Sequence, residues 1–334
     1  TTPNRTDNSY FSTDNDYETT YYFQVSMIDD WGYEVFSNIE SIDPEYVTFI
    51  KSHDSGSEMD IGYRGVQTTT GKYKILGKTS SDVMMIGTDR SGLEPTFNYF
   101  SYGPDDTPVD LISNDGDGYV FLSNITNSNS DTDIRITKID QNGSPIWNVI
   151  HGFIDPYDQS SGNADFGLDL ANDISETADG GYIISGQYNT EEERHWDLWI
   201  LKLNAFGEKE NEHILTAFPE NEQIIENGRS ILEINNGYIV LGSLHEYELD
   251  APSDIWLTHF DLDLSDNGDT LWSSIWDIDA YDYPTSIVAN LEGGYTIAGY
   301  SSSSNSGNNG SSWVIKSDIA GAGNILTSFS GNNF

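Results

Sequence analysis

Four carboxylates fall within nine residues at Asp261, Asp263, Asp266 and Asp269, in the run DLDLSDNGD. Calcium takes six to eight oxygens in flexible geometry, and a loop of this kind can supply several of them. The spacing is not that of an EF-hand loop, which ends on a Glu at its twelfth position. Asp115-Gly116-Asp117-Gly118 is a second, sparser candidate. The chain holds 55 acidic residues, so some clustering is expected from composition alone. The six histidines are scattered, with no HxxxH or HExxH, and there is no cysteine. That excludes thiolate zinc sites, disulfides and cysteine nucleophiles, and argues against a histidine zinc site. No cofactor is expected beyond calcium at these acids.

Paired carboxylates could also hydrolyse glycosides, but so many are present that the sequence distinguishes no pair. SDNGDTLW (265–272) approaches a Ser-x-Asp-x-Gly-x-Thr-Trp box, with its Trp one place late. The arginines a sialidase site would need are few: Arg5, Arg64, Arg90, Arg135, Arg194 and Arg229. No GxSxG elbow is present to carry a serine nucleophile. The sequence therefore reads as that of a protein that is not an enzyme. Asp269-Thr270-Leu271 matches the Asp-Ser/Thr-hydrophobic acceptor of some bacterial O-glycosylation.

The elements that would position such residues are repeated. DGGYIISG (179–186) returns as EGGYTIAG (292–299), NGYIVLG (236–242), DGYVFLS (117–123) and GKYKILG (71–77). The Tyr after the turn falls at 33, 73, 119, 182, 238 and 295. A second apolar run follows each, as in DIRITKID (133–140), DLWILKLN (197–204) and DIWLTHFD (254–261), then a Gly turn and a third run. Gly supplies the left-handed turn positions, and Tyr and Ile suit the half-buried strands that follow. Four short strands per unit with almost no helical periodicity predict an all-β fold, a single β-propeller. Six four-stranded blades are expected, with seven as the alternative. The propeller spans 21–334, and the polar segment 1–20 is expected to be flexible.

The pattern GGYIIxG…DLWILKLNxxG…W, which Trp147 and Trp272 complete, resembles the repeat of a broad group of bacterial surface and secreted β-propellers, most without an assigned activity. The resemblance covers roughly residues 20–330. His213-Ile214-Leu215 departs from it by lacking the Trp. It implies an exported, cell-envelope scaffold.

In a propeller the turns between strands one and two, and three and four, share one face; here they are short. The other connections share the opposite face and carry the insertions, including 152–166, 188–196, 245–253, 277–283 and 301–312. Long loops in a compact fold are usually functional or disordered. Tyr157, Tyr188, Trp196, Tyr247, Tyr281 and Tyr283 lie in them and are the candidate ligand- or partner-binding residues.

Formal charge is −41 over 334 residues. That argues against nucleic acid, which needs clustered Lys and Arg, and against an anionic membrane surface. No run of 18 apolar residues suggests a membrane span. The first residue, Thr1, reads as that of a processed chain, extracellular or held at the cell surface, with a lipid anchor as one form of tether. The expectation is a non-catalytic interaction scaffold, a subunit of an outer-membrane or surface assembly. The alternative is a carbohydrate-binding module, and a glycosidase or lyase is the least favoured reading. The expected partner is an envelope protein or a surface glycan.

Overall fold

The computed structural model describes residues 60–330, apart from residue 280 and the loops 103–105, 115–117, 127–131, 153–167, 190–195, 216–223, 247–251, 265–269 and 303–310. It also describes residues 53, 55 and 56 and four short strands between residues 21 and 42. The protein is an all-β propeller. Among the described residues there is no helix long and apolar enough to cross a membrane.

Five blades are four-stranded antiparallel meanders. The first is β5 (Ile61–Gln67), β6 (Tyr73–Lys78), β7 (Val83–Thr88) and β8 (Thr96–Phe100). The second is β9 (Thr107–Asn114), β10 (Gly118–Thr126), β11 (Thr132–Ile139) and β12 (Pro145–His151). The third is β13 (Leu168–Glu176), β14 (Tyr182–Asn189), β15 (Asp197–Leu203) and β16 (Lys209–Leu215). The fourth is β17 (Ile224–Ile234), β18 (Gly237–Glu246), β19 (Ser253–Phe260) and β20 (Trp272–Trp276). The fifth is β21 (Tyr281–Ala289), β22 (Tyr295–Ser302), β23 (Ser311–Ser317) and β24 (Gly323–Ser330). The described residues thus hold five full blades where six were expected. The unit expected near residues 23–51 shows only four three-residue strands. These pair as β1 (Tyr21–Phe23) with β4 (Glu40–Ile42) and β2 (Ser26–Ile28) with β3 (Glu34–Phe36), not as a meander.

The first strands of successive blades, β5, β9, β13, β17 and β21, pack side by side. Each pair of neighbouring blades closes one apolar layer. Residues two apart on a strand enter the same layer, and the residue between them enters the layer on the other side. Tyr182 and Ile184 thus pack with Val120, Leu122 and Ile136 of the second blade, whereas Ile183 packs with Tyr238 and Val240 of the fourth. The layers between the first and second blades and between the fourth and fifth are built the same way.

The turn after the third strand is also repeated. Its first residue is Asp89, Asp140, Asn204 or Asp318, whose Oδ1 accepts two backbone N–H groups across the turn. Three residues on stand Gly92, Gly143, Gly207 and Gly321, all with positive φ. These are Asx turns that satisfy the hairpin's own backbone.

Candidate functional site

The inner strands carry a repeated irregularity that sets where their polar side chains point. Register shifts leave one residue of each inner strand without a cross-strand partner: Tyr63, Val109, Asn172, Arg229 and Thr285. These are β-bulges, and a bulge bends the strand and re-aims its side chains. The glycine that closes the repeated motif makes the bulge possible in four of the five blades. A Cβ at Gly186 would lie 2.1 Å from the Leu170 carbonyl oxygen, one at Gly242 2.3 Å from that of Asn227, and one at Gly299 2.5 Å from that of Tyr283. The corresponding distance at Gly77 is 2.8 Å, to the Ile61 carbonyl. On its other side the same glycine faces the buried Trp199, Trp256 or Trp313 across the sheet.

The residues after the bulges are Arg64, Asp110, Asp173, Ser230 and Ser286. The first four form one chain of contacts. Arg64 Nε donates to Asp110 Oδ1 at 2.5 Å, and Arg64 Nη2 lies 3.7 Å from Asp173 Oδ1. Asp110 also accepts the Leu111 N–H at 2.8 Å. Asp173 Oδ2 accepts the Ser230 hydroxyl at 2.7 Å and the Ile231 N–H at 2.8 Å. Both aspartates are buried, whereas the Arg64 side chain is 51% exposed and caps them. Burial, the hydrogen bond to Asp110 and the charge of Asp110 together push the Asp173 carboxyl up to about 8. Two carboxyls in contact cannot both ionise cheaply, so Asp173 keeps its proton at neutral pH. A protonated carboxyl beside an arginine-paired carboxylate can donate a proton to a leaving group.

Farther along the ring, Tyr283 and Tyr300 stack across β21 and β22 with centroids 4.8 Å apart. The partly buried Arg229 lies close enough to feel both phenols. At the strand ends on the long-loop side, Asp254, Asp277 and Asp282 hold carboxylate oxygens within 4.8 Å of one another, which is a spacing a cation could bridge. Burial, and then Asp277, raises the Asp254 carboxyl. Asp282 is raised chiefly by burial.

The residues picked from sequence do not assemble into one site. Tyr157 and Tyr247 lie outside the described residues. Tyr188 and Tyr281 are 5% and 9% exposed, and Tyr188 packs in the layer between the second and third blades, so neither offers a face to a ligand. Trp196 is partly buried just ahead of β15, and Tyr283 joins the stacked pair. Of the expected calcium ligands, Asp266 and Asp269 lie outside the described residues, as do Asp115 and Asp117. Asp263 is exposed, and its carbonyl accepts from Asn211. Asp261 stands at the first position of the repeated Asx turn, and Leu264, φ 44°, takes the place of the turn glycine. Asp261 thus stands where the Asx-turn residue stands in the other four blades. Asp110 and Asp173 were missed because they sit on strands 63 residues apart. Their shared signal is a polar residue just before the apolar run of each inner strand.

No protein-family model and no curated protein matches the chain. Solved structures resemble it distantly. An endo-arabinase from Bacteroides thetaiotaomicron is 13% identical over 72% of this chain and 88% of its own, with a TM-score of 0.43. A GH43 β-xylosidase/α-arabinofuranosidase from a compost metagenome is 12% identical over 80% and 94%, also at 0.43. An α-L-arabinanase from Cellvibrio cellulosa is 11% identical over 80% and 94%, at 0.40. Likeness at this level assigns no activity to this chain. These three are glycan-cleaving enzymes, however, neither scaffolds nor binding modules. The expectations of a non-catalytic scaffold, of a carbohydrate-binding module and of no enzymatic activity are accordingly withdrawn. The sequence had suggested them because it shows acids without showing which of them meet.

Proposed function

We propose that the chain is a hydrolase acting on glycosides, with Asp173 as its proton donor. The observation that carries this is the Arg64–Asp110–Asp173 chain: a buried carboxyl kept protonated near neutral pH, beside a second carboxyl that pairs with a guanidinium. In the proposed step the Asp173 proton passes to the glycosidic oxygen, the bond from that oxygen to the anomeric carbon breaks, and water adds to the carbon, its released proton returning through solvent to Asp173. Asp110 is in contact with Asp173. It is therefore too close to serve as the second carboxylate, which lies about 5–9.5 Å from the acid in such reactions. Asp110 positions and tunes the donor. The Tyr283–Tyr300 pair offers aromatic surface for a sugar ring. An exported location and calcium at surface acids belong to the same reading.

A second reading has its own support. Asp173 reaches the Ile231 N–H of the next blade, and Asp110 approaches the Ile174 N–H at 3.4 Å. On that reading the pair is a latch between blades. Assay against arabinan, xylan and aryl glycosides separates the two. If the chain is a hydrolase, it turns over at least one substrate, and Asp173→Asn lowers kcat by about 100-fold or more with the melting temperature nearly kept. No turnover by the wild type, with a large loss of stability in Asp173→Asn, establishes the latch and overturns the hydrolase.

A further inference from the structure

Two of the described junctions between blades are built alike, and the junction of the first and second blades departs from them. At the junction of the second and third blades, Trp147 of β12 covers Tyr182, ring centroids 5.9 Å apart, and a Cβ at Gly207 would lie 3.0 Å from its ring. At the junction of the fourth and fifth blades, Trp272 does the same with Tyr295 and Gly321. In each case the Trp pairs across the sheet with a cationic or imidazole side chain of the third strand, Lys138 or His259.

The first blade breaks both positions. Its third-strand residue is Gly87, and the residue opposite is Thr96. Asn98, two residues on, reaches Gly143 and donates to the Asn142 carbonyl, but it leaves the rest of the Trp volume empty. The result is a cleft of about 410 Å³ between the first and second blades. That lies within the roughly 300–1,000 Å³ range of small-molecule sites.

Lys74, across the sheet from Gly87, swings over the glycine to lie 5.5 Å from the Tyr119 ring centre. Lys72 joins it in the lining. These are two of only 14 basic residues in a chain of net charge −41. Among the described residues neither ammonium makes an ion pair or a side-chain hydrogen bond. Burial, and then the charge of Lys72, disfavour the Lys74 ammonium, against an opposing contribution from Asp140. Two acids also line the cleft, and Asp89 lies close enough to Lys72 for that charge to help lower its carboxyl. Asp89 Oδ1 is committed to Ser91 and Leu93, and Glu94 is exposed on the rim. The hydroxyls of Thr68, Thr88 and Thr96 surround the lysines.

We propose that this cleft is a binding site for a small oxyanion held between Lys72 and Lys74, either a sugar carboxylate or a sulfate group. The site is separate from the inner-strand carboxyl pair and does not depend on the chain being a hydrolase. Isothermal titration with galacturonate, with inorganic sulfate and with neutral galactose tests it. One or both anions bind and galactose does not, and the tighter anion identifies the source. Lys74→Met weakens binding at least tenfold. Thr96→Trp, which introduces the side chain found at two of the other junctions, abolishes binding while keeping or raising the melting temperature. Absence of binding by either anion to the wild type overturns the proposal, as does equal binding of galactose, or unchanged affinity in a folded Thr96→Trp variant.

Discussion

Asp173 holds a proton in the folded chain that it has already released in the unfolded one across the window from about pH 4 to about 8. Between those values the native state binds more protons, so this group's contribution to stability falls as pH rises, by at most about 1.4 kcal/mol per pH unit. Urea midpoints at pH 5 and pH 8 should therefore differ less in Asp173→Asn than in the wild type. Equal differences would mean that Asp173 titrates like an ordinary aspartate. Asp179 shows the opposite case. The Thr177 hydroxyl, the Lys202 ammonium and the Gly181 N–H hold its carboxyl down at about 2, despite some opposing burial. Its contribution is present above pH 4 and is lost as pH falls toward 2.

At the level of elements, the closing glycine of the repeated octapeptide does more than turn the chain. It lets the inner strand bulge against it, and the bulge sets where the next residue points. In Gly186→Ala the new methyl meets the Leu170 carbonyl and the Ala171 Cα at 2.1 and 2.9 Å, both backbone atoms that cannot rotate away. The expected cost is about 2–3 kcal/mol or more, read as a fall of roughly 5–10 °C in melting temperature for a chain of this size. A shift below about 2 °C would show that the bulge is slack. The same change at Gly180, where φ is +80° but nothing lies within 4 Å, tests backbone conformation alone. Most of these elements are legible in sequence. The recurring Gly-Tyr-Ile-Ile pattern locates the second strands, and each D/N-x-x-G after an apolar run locates the turn leaving the third. The bulges are not legible, because an extra residue in a strand leaves no composition signal and shows only in the pairing.

For the whole molecule, the excess of acids makes self-repulsion a general destabilising term. Raising salt from about 0.01 M to 0.5 M shortens the screening length from roughly 30 Å to below 8 Å. The melting temperature should rise by several degrees over that range, and a flat response would mean the acids are locally compensated. Sequence alone determined the class of fold, the blade unit and the exclusion of cysteine chemistry. Those follow from composition and from local periodicity, which each strand carries within itself. The tertiary structure alone decided that Tyr188 and Tyr281 are interior residues and that Asp110 meets Asp173 under Arg64. It also decided that a cleft lies between the first and second blades, where Gly87 and Thr96 stand at the positions of Lys138–Trp147 and His259–Trp272. Each of these is a contact between strands or blades distant in sequence, fixed by register and radial packing, which no single repeat encodes.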